Sequence, residues 1–598
     1  MTSTFDTKIG ATDIENDTKD NRKIYETKNN QQKGFCYHAG VLIFAPFLNV
    51  LQKSSFGDCK PYLMQWLVSV LLGAKNIEQS KLLNYKSLNL FLDNPIKNLN
   101  SQRLKLKEFA TDDNFDKLLS INARLVGVDE KTVFYYDPHT KHYTGLLDIL
   151  KSWCSKVRMA AKVINTDFIH TTDGFPVYLK NGDTFEDMRV RFFKDIKEFR
   201  RIAEMPDDKV ITLCVDRGIF SAEILNLVAE MENLHIITWE KGYKKDKWND
   251  ENETKTASIV QLRNNITDQK LITYQYQVNS WEKNDKIKQL IVRLPEKNEK
   301  GTIEVSILTD DIPGENTGII FHMLNRWVQE NDFKYLIAHF GLDQITSYLY
   351  DDYEDISDTI TDKDHISGAY KALTKEIDRS RQKLKTALHK KHNFDSKFGI
   401  YDNISELTQV QKEILLDEST KELAKLKMEK SEKKPTEKQM ESYKKNITKI
   451  VNLSNDLFDK LNERADTEKN VSKIDELINR GTKKLDSAPK QLMDIIKIIA
   501  RNIFYLAFEP FKEKYNNYRD DHVVFREITY ADGQIEFNDS EMLINILPKM
   551  EIPPKVRKIL SEIIEEINQK NIPLINNENL KIKLNISEKF NSFFAYQN

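Results

Sequence analysis

The order of strand and helix patterns between residues 131 and 239 restricts the fold of this chain more than any other feature. Short β-branched and aromatic runs predict strands, and apolar residues at spacings of three and four predict amphipathic helices. The predicted strands are Thr132–Tyr136, Lys162–Ile169, Phe175–Leu179, Val210–Val215 and His235–Trp239. A helix opening at Thr184 follows the third strand, and a helix capped by Ser221 follows the fourth. This order predicts an α/β domain with a mixed five-stranded sheet.

Three meandering strands followed by alternating helices and strands is the element order of the ribonuclease H-like fold. In that topology the first and fourth strands are neighbours in the sheet. Asp137 directly follows the first predicted strand, and Asp216 directly follows the fourth. Since α/β sheets commonly bind ligands at the carboxyl ends of their strands, we expect these two carboxylates side by side at such an edge.

Other kinds of structure are predicted to surround this core. Alternating apolar stretches after residue 250 predict antiparallel strands, one helix is expected from about Thr317 to Phe340, and a hairpin is expected around Asp532-Gly533. Seven acids and one Lys over 351–364 indicate a domain boundary. The predicted regions are a flexible arm over 1–34, a helical N-terminal domain over 35–130 with a possible role in DNA binding, a ribonuclease H-like catalytic domain over 131–249 and 310–350, a β insertion over 250–309, a helical Lys-rich region over 351–500 and a C-terminal α+β region over 501–598.

Charge is balanced over the whole chain but not along it. Lys+Arg 90 against Asp+Glu 92 gives a formal net charge of -2, which excludes a uniformly basic histone-like protein and a uniformly acidic tail protein. Between Lys371 and Lys397 there are nine Lys or Arg residues and three acids. This stretch fits a grip on a phosphate backbone, and it fits an ordinary solvated helix face equally well.

Several classes of protein are excluded by what the sequence lacks. Its four cysteines lie far apart without a CxxC pair, which argues against a disulfide framework and a cysteine zinc site. Its apolar stretches, around Val41–Leu51 and Tyr62–Ala74, are shorter than the roughly 18–20 residues that a bilayer requires. No GxxxxGK[ST] motif supports a nucleotide cofactor. We therefore expect a cytoplasmic protein without a membrane partner.

A third acid, Glu330, shares one predicted helical face with Arg326 and Lys334. Phosphodiester cleavage needs an activated water or 3′-hydroxyl and a stabilised leaving oxyanion, and two Mg²⁺ ions about 3.5–4 Å apart supply both. Such hard cations take carboxylate oxygens as ligands. Asp137, Asp216 and Glu330 are therefore predicted to hold two Mg²⁺ ions, for which Mn²⁺ can substitute. The alternative interpretation of the helical face is a solvated salt-bridge stripe.

Five other acids compete for these roles. Two compete with Asp137, one within a predicted strand and one in a predicted turn, where Asp is favoured for backbone hydrogen bonding. Three compete with Glu330 and lie in an irregular segment without partner cations on a helix. The competitors of Asp137 are Asp167 in the strand and Asp173 in the turn, and the competitors of Glu330 are Asp310, Asp311 and Glu315.

Two polar residues beside the first two acids are candidates for contact with DNA. Arg217 follows Asp216 directly and can bind a phosphate, with a salt bridge to a neighbour as the alternative. Thr140 lies three residues after Asp137 and can contact substrate or metal-bound water, with closure of the loop after the strand as the alternative.

Five segments of the chain occur in an order typical of one family. They are Tyr136–Thr140, Asp173–Pro176, Asn181–Thr184, Val215–Ile219 and Asn325–Tyr335. Together they resemble a DDE transposase of the bacterial insertion-sequence type, in which a β insertion interrupts the ribonuclease H-like core before the last acid. The resemblance extends from about residue 131 to residue 350. Two residues depart from the family's Tyr-Arg-Glu-Lys signature, since its Tyr is Met323 here and its Lys is Ile337.

The resemblance implies roles for the residues that match. Asp137, Asp216 and Glu330 would be the metal-binding catalytic triad, and Arg326 would match the signature Arg four residues before the Glu. Lys334, one turn after Glu330, is a possible replacement for the missing signature Lys.

The activity that this resemblance implies is metal-dependent DNA strand cleavage and strand transfer at the ends of an insertion sequence. The expected partners are the element ends and target DNA, together with a second copy of the chain in a homodimer assembled on DNA. A protein with these partners is expected to be associated with the nucleoid. Two alternatives stay open at this point. One is a ribonuclease H-like nuclease without strand transfer, and the other is a catalytically inactive relative that binds DNA.

Overall fold

The structure of the protein is a computed structural model. It describes residues 32–588 except 84–87, 89–91, 93–96, 155, 183–185, 245–246, 262–269, 294–303, 313, 347–348, 361, 363, 401–433, 516–519, 539, 550 and 575–576. Most of the predicted flexible arm and the predicted helix start at Thr184 thus lie outside the described residues. The chain forms two compact units. The first comprises Met1–Gly145, Leu150–Leu349 and Asp486–Asn598, and the second comprises Leu146–Ile149 and Tyr350–Leu485.

The N-terminal part of the first unit is mainly helical. The elements here are strand β1 (Gln32–Cys36), a 3₁₀ turn (Ala39–Phe44) and helices α1 (Ala45–Gln52), α2 (Lys60–Leu71), α3 (Leu99–Phe109) and α4 (Asp112–Val126). Every residue of α2 from Leu63 to Leu71 is buried. A helix that is covered on all sides lies inside a core rather than on a surface.

The central sheet contains the five strands that the sequence predicts. Its elements are β2 (Val133–His142), β3 (Lys151–Cys154), β4 (Met159–Thr171), β5 (Pro176–Gly182), α5 (Met188–Ile202), β6 (Ile211–Val215), α6 (Ala222–Val228) and β7 (Leu234–Trp239). The predicted strands lie in the order β5-β4-β2-β6-β7. The pairs β5/β4 and β4/β2 are antiparallel, whereas β2/β6 and β6/β7 are parallel. The predicted adjacency of the first and fourth strands is confirmed.

Local sequence signals account for the ends of these elements. Gly174 adopts a φ of 86° in the turn between β4 and β5, a conformation that glycine takes without strain. The side chain of Ser221 accepts a hydrogen bond from the backbone N–H of Ile224 and caps α6. Asp187 caps α5 in the same way, and the helix begins at Met188.

The first strand is longer than predicted. We expected it to end at Tyr136, but β2 continues to His142 because residues 137–142 pair with β4, from Asp137↔Phe168 to His142↔Val163. Only the pairing with β6 stops at Tyr136. Asp137 is therefore at the end of one ladder and inside the other.

The insertion extends the central sheet, so the prediction of a five-stranded sheet is wrong for the sheet as a whole. Its strands are β8 (Lys255–Gln261), β9 (Lys270–Trp281), β10 (Asn284–Arg293) and β11 (Glu304–Thr309). They continue the order as β7-β11-β10-β9-β8 in a sheet of ten described strands. Because β11 pairs antiparallel with β7 over Ile237–Trp239, this part of β7 is not an edge of the sheet.

The helix predicted from Thr317 to Phe340 is broken. The structure has α7 (Asn316–Leu324), α8 (Trp327–Tyr335) and a π-helical turn (Leu336–Phe340). At the break, the buried Asn325 amide donates hydrogen bonds to the carbonyls of Val260 and Phe321. The break therefore ties the start of α8 to strand β8.

The second unit is built on two long helices. Its elements are β12 (Tyr350–Asp352), β13 (Asp364–Ile366), α9 (Gly368–Phe398), α10 (Glu437–Asp466), β14 (Asn470–Ser472), α11 (Lys473–Asn479) and β15 (Lys483–Leu485). The two long helices, α9 and α10, pack through the buried side chains of Ile377, Leu384, Ala387, Leu388, Ile450 and Leu457. Strand β12 pairs with β15, and β13 pairs with β14.

The C-terminal part returns to the first unit. Its elements are α12 (Ala488–Tyr515), α13 (Asp521–Thr529), β16 (Asp532–Phe537), β17 (Glu541–Leu547), α14 (Pro554–Gln569), β18 (Pro573–Leu574) and β19 (Asn577–Ile586). A second sheet has the order β1-β16-β17-β19-β18. The hairpin predicted around Asp532-Gly533 is present as β16 and β17, but these two residues pair with β17 inside strand β16 rather than forming the turn. Gly533 is needed there because a Cβ would lie 2.5 Å from the Cβ of Ala39.

Helix α12 forms the centre of the first unit's core. It packs against α2, α4 and β5, and its residues from Pro489 to Phe504 are buried without interruption. Residues 486–500, which we assigned to the Lys-rich region, therefore belong to the first unit. Within the described ranges, no helix combines the length and the apolar character needed to cross a membrane.

Candidate active site

Asp137 and Asp216 occupy equivalent positions on neighbouring parallel strands. The pairing of β2 with β6 runs from Val133↔Thr212 to Tyr136↔Val215. The next residue on each strand is one of the two acids. The register of the sheet, rather than closeness along the chain, therefore brings these carboxylates together.

Arg326 joins the two acids to Glu330. Its Nη1 lies 3.7 Å from Oδ1 of Asp137, and its Nη2 lies 3.5 Å from Oδ1 of Asp216. The same Nη2 lies 3.5 Å from Oε1 of Glu330, one turn later on α8. One guanidinium thus forms ion pairs with all three carboxylates that the sequence singles out.

The surroundings of these three acids differ. The side chain of Asp137 is 19% exposed, that of Asp216 44% and that of Glu330 53%, while that of Arg326 is 10% exposed. Burial raises the pKa of the Asp137 carboxyl to about 7; Arg326 lowers this pKa, and Asp216 and Glu330 raise it further. Removing the positive charge of Arg326 would therefore raise the pKa of the Asp137 carboxyl and disfavour its ionised form.

The donor chemistry of the site fits a hard divalent cation. Three carboxylates surround one guanidinium, which leaves an excess of negative charge, and carboxylate oxygens are the ligands that Mg²⁺ and Mn²⁺ take. Nη1 of Arg326 is buried and makes no hydrogen bond in the described part of the chain. Among the described residues, no group of three or more His, Cys, Asp or Glu side chains is arranged as a metal cage. The carboxylates and Arg326 would therefore have to adjust around an ion.

The other predicted contact residues lie outside this cluster. Lys334 is exposed and forms no ion pair within the described ranges, with Glu330 or any other acid. Arg217 is exposed in the turn after β6. Thr140 lies three residues after Asp137 on β2, and side chains an odd number of residues apart on a strand point to opposite faces of the sheet. The hydroxyl of Thr140 donates a hydrogen bond to Oδ1 of Asn165 at 3.2 Å. The structure brings Arg326 to the acids and leaves these three apart.

The competing acids are engaged in other contacts. Asp167 is buried and paired with Arg191, and Asp173 pairs with Lys131 beside the turn. Asp310 accepts hydrogen bonds from the His235 ring and the backbone N–H of Ile236. Such contacts fix strands and turns. The remaining two competitors, Asp311 and Glu315, lie in the segment before α7.

A group of buried polar residues, which the sequence pattern does not predict, lies behind Glu330. They are His170, Gln329, Asp332 and Arg501. Two of them lie within two positions of Glu330, and the other two lie on β4 and α12. Arg501 carries one signal that sequence inspection can detect, since it interrupts a long apolar run in α12.

Comparisons with known proteins leave the function to be argued from this site. No protein-family model matches the chain, and no curated protein matches it in sequence. A solved structure with some likeness is a cryo-EM structure of a piggyBac transposase synaptic complex with hairpin DNA. It is 9% identical, has a TM-score of 0.27, and the match covers 52% of this chain and 71% of that chain.

Proposed function

We propose that the protein is a DDE-type DNA transposase with a ribonuclease H-like catalytic core. The observation that carries the proposal is the convergence of Asp137, Asp216 and Glu330 on the guanidinium of Arg326. Two of these acids come from adjacent parallel strands and the third from a helix beyond a β insertion. The sheet order β5-β4-β2-β6-β7, with β4 antiparallel to its neighbours, supports the proposed core.

The three carboxylates would hold two Mg²⁺ ions, or Mn²⁺ in their place. Such ions, when bound, activate water or a 3′-hydroxyl and stabilise the leaving oxyanion. Burial raises the pKa of the Asp137 carboxyl to about 7 although Arg326 beside it lowers this pKa, and a bound cation would favour the ionised form. Arg326 orients Glu330 from one helical turn away and neutralises part of the charge of the three acids.

The proposed substrate is DNA, and α9 provides a surface with matching charge. Five cations on one face of this helix are exposed and form no ion pair in the described residues: Lys371, Lys375, Arg379, Lys383 and Lys390. We name this set the basic face. Lys334 and Arg217 are exposed and can bind phosphate, whereas the Thr140 hydroxyl is used inside the sheet. A homodimer assembled on DNA remains part of the proposal.

Replacing single acids by their amides tests the catalytic assignment. Asp137→Asn, Asp216→Asn and Glu330→Gln are each expected to lower Mg²⁺-dependent cleavage of DNA on the order of 10²–10³-fold, the usual effect of removing one electrostatic interaction with a transition state. Cleavage of supercoiled plasmid carrying the DNA that flanks the reading frame measures this. Asp173→Asn is the matched control, since this acid lies in an exposed turn. Full cleavage by Asp216→Asn would contradict the assignment.

The products of the same reaction separate the proposal from its alternatives. A transposase joins the released 3′ ends to target DNA, so labelled ends appear in larger molecules. A nuclease without strand transfer releases ends that are never joined. An inactive relative binds DNA in a salt-sensitive way and cuts nothing at any Mg²⁺ or Mn²⁺ concentration.

A further inference from the structure

Helix α8 has one face at the candidate active site and another in the core. Glu330 is half-exposed, but Gln329 and Asp332 are buried. The helix has only nine residues and begins at a break in the chain. A helix this short has little stability of its own, so its orientation depends on what holds its buried face.

His170 on β4 binds both buried side chains of α8. Its Nδ1 lies 2.8 Å from the amide nitrogen of Gln329, and its Nε2 lies 3.1 Å from Oδ2 of Asp332. The amide nitrogen of Gln329 also faces the carbonyl of Tyr135 on β2, at 3.4 Å. Because that nitrogen is a donor, Nδ1 of His170 accepts and Nε2–H donates to Asp332. These hydrogen bonds fasten α8 to β4 and to β2, the strand that carries Asp137.

Arg501 on α12 holds Asp332 from the other side. Its Nε and Nη2 each lie 2.7 Å from Oδ1 of Asp332. The guanidinium stacks over the ring of Tyr505 at 3.9 Å, and its Nη1 donates to Asn502 at 3.2 Å. These contacts hold the Arg501 guanidinium in place beside Asp332. Arg501 thereby links the central helix of the core to α8.

Stability alone is a poor explanation for so many buried polar groups. Replacing a buried ion pair by packed apolar side chains is often neutral or stabilising, whereas such pairs can serve to fix one arrangement. Here they fix the segment that carries a candidate catalytic acid. Residues that hold metal ligands in place typically change metal affinity 10–100-fold when they are replaced.

We propose that His170, Gln329, Asp332 and Arg501 form a positioning cluster that sets the rotation of α8 and so directs Glu330 towards Asp137 and Asp216. This inference rests on the proposed function, because it gives the cluster a role only if Glu330 is a ligand or catalytic group. It makes α12, far from the acids in sequence, part of the working site.

The test measures Mn²⁺ binding by the full-length protein with electron paramagnetic resonance, which requires no turnover. Arg501→Gln and the near-isosteric Gln329→Met are expected to raise the Kd for Mn²⁺ by about 10-fold or more. Arg501→Lys, which keeps the charge but removes the planar fork, should recover part of the affinity. The midpoint of the Mg²⁺ dependence of cleavage should shift in the same direction.

The matched control is Asp167→Asn, which disrupts the buried Asp167–Arg191 pair on the same strand β4. Its Nε–Oδ2 distance is 2.7 Å, like that of the Asp332–Arg501 pair. Urea unfolding measures the stability of each variant, so that variants of equal stability are compared. The positioning role is overturned if Asp167→Asn changes the Kd for Mn²⁺ as much as Gln329→Met does, or if neither Arg501→Gln nor Gln329→Met changes it. Failure of the proposed function looks different, since wild type would then show no Mn²⁺ site that Asp216→Asn removes.

Discussion

Helices α8 and α9 present their charged residues in opposite ways. Helix α8 is short, and the charged or polar side chains at its start and on its buried face contact residues of β2, β4 and α12 and the acid that follows β6, whereas its Lys334 is exposed. Helix α9 has 31 residues, packs one apolar face on α10 and leaves its basic face exposed. The comparison teaches that a surface charge is a property of one helix, whereas a chemical site needs groups from several elements.

Within this comparison, the largest effect is expected to distinguish Arg326, at the start of α8, from Lys334 within it. Arg326→Ala should lower the cleavage rate at saturating DNA on the order of 10²-fold, because three carboxylates lose their common partner. Lys334→Ala should leave that rate nearly unchanged and weaken only DNA binding, since Lys334 is exposed. Rates measured with excess DNA and Mg²⁺ compare the two variants. An equal decrease in rate for both variants would show that Arg326, which contacts three carboxylates, matters no more for cleavage than the exposed Lys334.

A smaller effect is expected from the basic face of α9. The triple variant Lys375→Gln, Arg379→Gln and Lys383→Gln should weaken DNA binding about tenfold and reduce the slope of log affinity against log salt by about 3, one unit for each phosphate that the variant no longer neutralises. Its Mg²⁺ dependence should match wild type. Fluorescence anisotropy at several salt concentrations provides the measurement.

The control for the basic face removes three cations that already have acidic partners, two of them exposed and one partly buried. Lys105, Lys117 and Lys286 pair with Glu108, Asp113 and Glu230. Replacing these three lysines by Gln changes net charge equally. If this control reduces the salt slope as much as the α9 variant, then total charge rather than the basic face governs binding.

The smallest expected effect is a pH dependence of the free energy of unfolding, caused by two histidines near the C-terminal end of α8. His522 contacts the Tyr335 hydroxyl, and His339 contacts Nη1 of Arg526. Burial, followed by Arg526, lowers the pKa of His522 to about 3 and that of His339 to about 4. Further positive charge comes from Lys75 near His339 and from Arg501 and Lys512 near His522.

The direction of this pH dependence follows from whether the folded or the unfolded chain binds protons at a given pH. Below the ordinary value of 6.5 the unfolded chain takes up protons on these histidines, while the folded protein does not until the pH approaches 4. The free energy of unfolding should therefore decrease as the pH falls from about 6.5 towards 4. Urea unfolding at pH 7 and pH 5 measures this, and His522→Gln should reduce the difference. An unchanged difference in that variant would show that other groups cause it.

The sequence predicted the parts of the fold that depend on local pattern. The five core strands, the turn that contains Asp173 and the Ser221 cap were predicted because hydrophobic period, turn-forming residues and a helix N-terminus each leave a short-range signal. The hairpin expected around Asp532-Gly533 is present, but these two residues lie in its first strand rather than in its turn. Glycine there meets the close approach of Ala39, and local sequence does not distinguish that need from a turn.

The candidate site was predicted only in part. The order of strands sufficed to pair Asp137 with Asp216, and helical spacing sufficed to pair Arg326 with Glu330. Spacing equally favoured Lys334, which no described acid contacts. His170 and Arg501 were missed because their partners on α8 are distant in sequence.

The sequence by itself determined the periods of the strands and helices, the three acids and the basic stretch of α9, because each depends on neighbours a few residues apart. Only the tertiary structure decided that one guanidinium joins the three acids, that the insertion continues the central sheet, and that α12 holds α8 from behind. These contacts depend on sheet register and core packing, which are properties of the whole folded unit rather than of any segment.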